Sequence, residues 1–509
     1  MRVNRGDALQ SAREGRPAAS GRPFLFPSER RRVVSTVTET VSTGLAAPAA
    51  DAGAAGAAPR LADPPRLADG TELMGEFRDS GDSAPPSLVR RPDGQVIQMS
   101  RLLYLTAAAL DGTRDEDAIA AAVSAGLGKT LTGGQARYLI TAKLAPLGVL
   151  AADGGPAHGP AAGQLLTLKA RGTLLPGRAA AAAGTLLRPL FRPPVIAAVL
   201  TVTAALDWWL VAVHGLGGGL GQVLRDPAGL ITVFALFTAS AAFHELGHAA
   251  GCRYGGARPG RIGAGIYLIW PSFFTNVTDS YRLSRAGRLR TDLGGLYFTL
   301  ISVLALAGIY AATGAEILLL AIAAIHLQML EQLLPFARFD GYWILADLIG
   351  VPDLFARVGP ILTSTLTRGA RPDPRITGMR PAARAAVTAW VLCLIPVLAA
   401  LSGYLLLHLP ATDRALWHAT AAQAHAAATA ITGRRYAAAA AAAISVTLAA
   451  ITGAGTLYLI TAVARRAVTA TPRWTAGHPA RALLATLTAA ACITALACYW
   501  TTQGQFHGW

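Results

Sequence analysis

The stretch FHELGHAAGCRY, residues 243–254, sets two histidines and a glutamate at the end of an apolar run, 229 to 250, that otherwise reads as a membrane helix. Ionisable groups are costly in hydrocarbon, so their presence there points to function. His244 and His248 are four residues apart. On a helix their imidazoles project from one face, one turn apart, and can share one Zn2+ ion, with Glu245 flanking it. Zinc with an open coordination position activates water near neutral pH, and a neighbouring glutamate can take the proton while the metal polarises a peptide carbonyl. The competing reading is a chance HExxH on a polar helix face, which the cost of burying three titratable groups in a membrane span disfavours.

Outward from this stretch, composition sets the class. The chain has 509 residues, 53% hydrophobic and 15% charged, with a mean hydropathy of +0.41. That is too apolar for an ordinary soluble protein of this size. The net charge of +16 comes mostly from arginines in short clusters beside apolar runs. This placement fits a positive-inside membrane protein better than a nucleic-acid binder, which would need a folded basic face with aromatic stacking groups. Cys252, Cys393, Cys492 and Cys498 lack CxxC spacing, which implies neither a disulfide framework nor a thiolate metal site.

Apolar runs of a length that crosses ~30 Å of hydrocarbon recur at 194–213, 229–250, 292–313, 316–334, 386–407, 438–463 and 482–501. The expected fold is therefore mainly α: a polytopic membrane helical bundle of about seven spans. The segment IYLIWPSFFTNVTDSYRL, 266–283, is short and broken by Pro271, and reads as a re-entrant hairpin that neighbouring protein must satisfy at that depth. Arginines before and after alternate spans (Arg253, Arg258, Arg261, Arg282, Arg285, Arg288 and Arg290, then the groups at 357–384 and 465–481) outnumber those on the other side. They predict a multi-pass cell-membrane protein with a cytoplasmic N-terminus and an outside C-terminus.

Residues 1–66, basic and then Ala/Pro/Gly-rich, are expected to be disordered. Residues 67–152 change character: SLVRRPDGQVIQMS alternates around Asp93-Gly94 as a hairpin, Asp115 caps a helix through Ile119 and Val123, and QARYLITAKLAPLGVL forms a last helix ending near Gly148. This is a small α+β domain. A linker at 153–192, a core at 193–360, a cytoplasmic loop at 361–385 and C-terminal transmembrane helices at 386–509 complete the expected organisation.

A site of this class needs a third protein ligand. EQLLPFARFDGYWILADLIGVPDL, 331–354, offers Asp340 in an Asp-Gly pair after Pro335 breaks the fourth span, at the depth of the HExxH turn. Gln328, Glu331 and Gln332 share one side of that span and are expected to line a water-accessible cavity, with Glu331 alternatively solvated at the interface. His326 reads as an interhelical hydrogen-bonding group, with a partner that orients a metal ligand as the alternative. Asp207, before Trp208 and Trp209, marks an interfacial stretch or a helix-packing polar contact, and His408, His418 and His425 fall in an outer loop without ligand spacing.

HELGH on one span, the PxFxTxVTDSYRL loop, a DLGG-initiated span and PxxxFDGYW together resemble the site-2 protease family of intramembrane zinc metallopeptidases, and more narrowly its bacterial peptide zinc metalloprotease branch. The resemblance, over about residues 195–360, implies His244, His248 and Asp340 as zinc ligands and Glu245 as general base. It also implies that the hairpin Tyr267 to Tyr281 binds substrate as an extended strand. Asn276, Gln332 and Thr299 depart from the residue types common in relatives and are expected at substrate-orienting positions. Residues 67–152 resemble the PqqD-like winged-helix domains, which bind leader peptides; a generic winged-helix-like module is the alternative. The first resemblance implies hydrolysis of a membrane-inserted or hydrophobic precursor peptide near the cytosolic leaflet, and the second adds leader removal in daptide-like peptide maturation. Regulated proteolysis of a membrane-anchored regulator, or a non-proteolytic zinc-dependent peptide-binding scaffold, are the alternatives. The expected partners are that peptide and the lipid bilayer, with no nucleic acid; the sequence leaves the oligomeric state open.

Overall fold

The computed structural model describes residues 35–36, 64–151, 169–214, 227–267, 270–366 and 373–502. The disorder expected for 1–66 therefore lies outside the described residues, apart from Ser35–Thr36 (β1) and 64–66.

The N-terminal unit holds strands β2 (Glu72–Glu76), β3 (Ser87–Arg90) and β4 (Val96–Met99), followed by helices α1 (Arg101–Ala108), α2 (Glu116–Leu127) and α3 (Gly133–Tyr138). The sheet order is β1-β4-β3-β2, and β3 and β4 pair antiparallel across a turn at Gly94, whose φ is 77°. Asp115 caps α2 by accepting from the Ala118 amide at 2.8 Å, and Ile119, Ala120 and Val123 turn into the core of this unit.

Among the described residues, five helices are long and apolar enough to cross a membrane: Pro193–His214, Arg285–Thr313, Pro381–Thr432, Tyr436–Ala462 and Pro479–Thr502. The chain is accordingly mainly helical and compatible with a helical membrane protein. The order through the core is α4 (Gly177–Leu187), α5 (Pro193–Trp208), α6 (Pro227–Tyr254, which carries HELGH), α7 (Arg285–Thr313), the shorter apolar α8 (Ile317–Gln332), α9 (Asp340–Ile349), α10 (Phe355–Leu366) and α11 (Pro374–Thr377). Helices α12 (Pro381–Thr432), α13 (Tyr436–Thr475) and α14 (Pro479–Thr502) close the described chain.

Three expectations change. The part of the expected linker 153–192 that is described supplies strand β5 (Lys169–Leu175) and α4. Strand β5 pairs with the hairpin of β6 (Ile262–Tyr267) and β7 (Trp270–Thr275), in the order β5-β6-β7. The hairpin is thus one part of a sheet, and Pro271 sits on its edge strand, where a missing N–H costs no ladder bond. The expected cytoplasmic loop 361–385 contains helical turns, because Ile361, Ile376, Met379 and Ala383 bury against α9 and α12. The expected outer loop with His408, His418 and His425 is helix: α12 runs unbroken for 52 residues to Thr432 and reverses at Gly433–Arg435. Alanine has the highest helix propensity, and it dominates the last turns, 419–430, while Pro396 and Pro410 lie within the helix. At 1.5 Å per residue α12 is about 78 Å long, more than twice the hydrocarbon thickness.

The close packing of α6 on α7 organises the centre. A Cβ on Gly247 would lie 2.1 Å from the Gly294 carbonyl oxygen, and one on Gly294 would lie 2.5 Å from that of Gly247. The two backbones touch, as small residues allow between membrane helices.

The N-terminal unit docks on the end of this bundle. Phe77, Leu88, Val96 and Tyr281 share one buried cluster, and Phe77 meets Tyr281 edge-on with centroids 5.9 Å apart. Arg90 and Arg282 pair with Asp279 at 3.0 and 2.9 Å, and Arg282 also reaches Glu72. Burial raises the Asp279 carboxyl, but the Arg258 amide and the Arg90 and Arg282 guanidiniums outweigh it and hold the group below its ordinary value. An acid depressed in the folded state contributes stability above its unfolded value, near 3.8, and that stability is lost as pH falls through the lower folded value.

Two outcomes test this packing. Gly294→Ala forces the helices apart and lowers stability by about 1–3 kcal/mol, read as a reduced Tm in detergent. Asp279→Asn removes the part of the acid-induced loss of hydrogen-exchange protection in β2 and β3 that arises from this carboxyl, and lowers that protection at neutral pH.

Candidate metal centre

His244 and His248 lie on one face of α6, and α9 begins at Asp340, so the helix break after α8 delivers a carboxylate to the same place. Gly341 fits there because a Cβ would stand 2.0 Å from the Leu333 carbonyl oxygen. The Nε2 atoms of the two histidines are 3.1 Å apart. Asp340 Oδ2 lies 2.9 Å from His244 Nε2 and 3.5 Å from His248 Nε2. All three side chains are buried, and among the described residues they form one cluster able to hold a metal ion.

The surroundings fix which atoms face inward. His248 Nδ1 donates to the Thr291 carbonyl oxygen at 2.8 Å, which leaves Nε2 with a lone pair. Thr299 Oγ1 donates to the Gly295 carbonyl oxygen at 3.1 Å and accepts from His244 Nδ1 at 3.0 Å. That orders the second imidazole the same way. Two lone pairs and a carboxylate therefore converge on one point, an arrangement that a cation relieves. Metal-ligating histidines generally have their other ring nitrogen held in this manner.

Zinc fits the donor set. Bonds of about 2.0–2.1 Å in a tetrahedron place neighbouring ligand atoms about 3.3 Å apart, close to the separations of 2.9 to 3.5 Å observed here. Gly295 supplies the room: a Cβ there would lie 2.3 Å from His244 Nε2 and 2.5 Å from His248 Nε2.

Glu245, next to His244 and equally buried, accepts at Oε2 from Thr275 Oγ1 at 2.8 Å. The same hydroxyl reaches the Glu245 carbonyl oxygen at 2.8 Å, so the end of β7 is pinned to the HELGH turn.

Of the expected substrate positions, Thr299 is placed on the His244 ring, which gives it a ring-orienting contact. Asn276 Oδ1 accepts from the Thr278 amide and hydroxyl at 3.1 and 2.7 Å and shapes the loop after β7. Gln332 ends α8 beside the Leu333 turn that packs on Gly341, and its Oε1 is buried without a hydrogen-bond partner among the described residues. His326 Nε2 and Asp207 Oδ1 meet at 3.1 Å, away from the cluster. Glu331 is exposed.

Sequence reading missed Thr291, Thr275 and Gly295. Thr291 acts through its carbonyl, which leaves no side-chain signal. Gly295 stands in the DLGG motif, but only packing separates its role from that of Gly294.

A buried His-His-Asp cluster beside the glutamate of an HExxH helix has the composition of a zinc metalloprotease centre. Similarity to a known protein supports the same class. Over 141 residues the chain is 26% identical to the "Putative peptide zinc metalloprotease protein YydH" of Bacillus subtilis (strain 168). The match covers 27% of this chain and 56% of that relative's length. No family model matches the chain. No solved structure matches it.

Gly295→Ala abolishes zinc uptake, because its methyl group occupies the space between the two Nε2 atoms. Thr299→Val, which keeps the shape and removes the acceptor, weakens zinc binding by about 10–100-fold. Competition with a chromophoric chelator measures both.

Proposed function

We propose that this chain is an intramembrane zinc metalloendopeptidase of the site-2 type that hydrolyses a peptide bond in a membrane-inserted or hydrophobic precursor peptide near the cytosolic leaflet. The observation that carries the reading is the convergence of His244 Nε2, His248 Nε2 and Asp340 Oδ2, with the Glu245 carboxylate on the adjacent residue. When bound, zinc supplies a Lewis acid that polarises the scissile carbonyl and acidifies water.

The chain's own residues do the rest. Glu245 takes a proton from the attacking water and returns it to the leaving amine. Thr275 donates to Oε2 and holds that carboxylate in place. The outer edge of β7 has no strand partner among the described residues, and it receives the substrate as an added strand whose backbone is presented to Glu245. A helical substrate unwinds first, since its carbonyls are otherwise hydrogen-bonded. The Gln332 amide, beside the Asp340 turn, orients the substrate backbone.

The N-terminal unit, read as PqqD-like, brings a leader peptide to the enzyme, which makes leader removal from a ribosomally made, daptide-like peptide the favoured reaction. The N-terminus is cytoplasmic and the C-terminus outside on the same reading.

The test compares purified wild type with Glu245→Gln against hydrophobic precursor peptides. Both proteins retain about one zinc, and the variant loses about 10²–10⁴-fold in cleavage rate. Absence of zinc from the wild type overturns the reading. Bound zinc with no cleavage of any candidate peptide favours a binding scaffold.

A further inference from the structure

The metal cluster is one rung of the contact between α7 and α9, and the next rung is an ion pair. Gly295 of α7 faces the histidine ring atoms of the cluster that Asp340 of α9 completes. Seven residues away on each helix, in opposite directions along the chain, Arg288 Nε donates to Asp347 Oδ1 at 3.0 Å. Seven residues are two helical turns, so Arg288 shares a face with Gly295 and Asp347 shares a face with Asp340. The pair is closed to water: the Arg288 side chain is 0% exposed and that of Asp347 is 1% exposed.

The N-terminal unit completes this rung. Arg288 Nη1 donates to the carbonyl oxygens of Arg78 at 3.1 Å and Leu283 at 2.9 Å. The Phe77 ring lies against the guanidinium, 4.2 Å from centroid to Cζ. From the same loop, the Gly81 amide donates to the carbonyl oxygen of Gly350, just past the end of α9, at 2.9 Å. Asp79 accepts from the Arg285 amide at 2.9 Å in the first turn of α7. Residues 77–81 thus hold α7 and α9 together two turns from the metal ligands.

We infer that Arg288 and Asp347 are positioning residues, and that the 77–81 loop of the N-terminal unit sets the place of Asp340 in the metal cluster through them. A buried charge pair supports this better than an apolar contact: its geometry is narrow, and loss of either partner leaves an unpaired charge. The N-terminal unit is then part of the metal centre's framework as well as a module for peptide capture. The inference rests on the metal reading given above.

The experiment uses the full chain in detergent, loaded with Co2+, and reads cobalt affinity and the visible d–d spectrum. Asp347→Asn keeps the shape of the pair without its charge, and Phe77→Leu keeps the bulk of the interface without the ring on the guanidinium. Each variant weakens cobalt binding about tenfold, the range found for groups that orient metal ligands, and alters the spectrum. The double variant costs less than the two effects added, because both act through Arg288. Arg137→Ala, on the exposed pair with Glu116, leaves both readings as in the wild type. Folded variants with wild-type spectrum and affinity, or strictly additive losses, overturn the inference. If Asp347→Asn does not fold, Phe77→Leu alone decides. If the wild type takes up no cobalt, the metal reading fails, and hydrogen exchange over residues 340–349 still decides the coupling: unchanged protection in both variants overturns it.

Discussion

The backbone contact between α6 and α7 is the constraint on which the rest depends. Gly247 and Gly294 each leave no room for a side chain against the other helix's carbonyl. Only at this separation can the Thr291 carbonyl accept from His248 and the Thr299 hydroxyl accept from His244. The DLGG motif therefore serves two purposes with adjacent glycines. The first lets the helices touch, and the second leaves the space between two imidazole nitrogens. A larger residue at either position would preserve the helix and lose the geometry.

Around that contact the site is assembled from elements remote in sequence. Helix α6 brings two histidines and the glutamate, α9 brings the carboxylate, and β7 brings the hydroxyl that holds Glu245. Each is fixed by a local device: an i, i+4 spacing, a helix start after a break, and the end of a strand. The N-terminal unit adds a buried aromatic and a set of charged contacts at the same end of the bundle. Burial makes these contacts selective, since a displaced partner would leave an unpaired polar group in a water-poor interface.

The long C-terminal helices belong to a different regime. Their described residues are mostly exposed, and Ala-rich sequence keeps α12 helical well beyond one membrane thickness. Hydropathy windows find where such a helix can cross hydrocarbon; they do not find where it stops. That is why 407–438 read as a loop while its alanines continue the helix to Thr432.

The sequence by itself made legible a mainly helical, strongly apolar chain, the cap at Asp115 and the turn at Gly94, because these depend on local composition and on spacings of a few residues. It also made His244, His248, Glu245 and Asp340 candidates, through a helical period and a helix break. Tertiary structure decided what those candidates meet. Thr299 lies on a histidine ring, Thr275 on the glutamate, Gly295 against the two histidine Nε2 atoms, and Arg288 against both Asp347 and the Arg78 carbonyl. None of these partners is near in sequence, and several act through a carbonyl or through the absence of a side chain. Such roles depend on distance in space, for which a linear pattern carries no term.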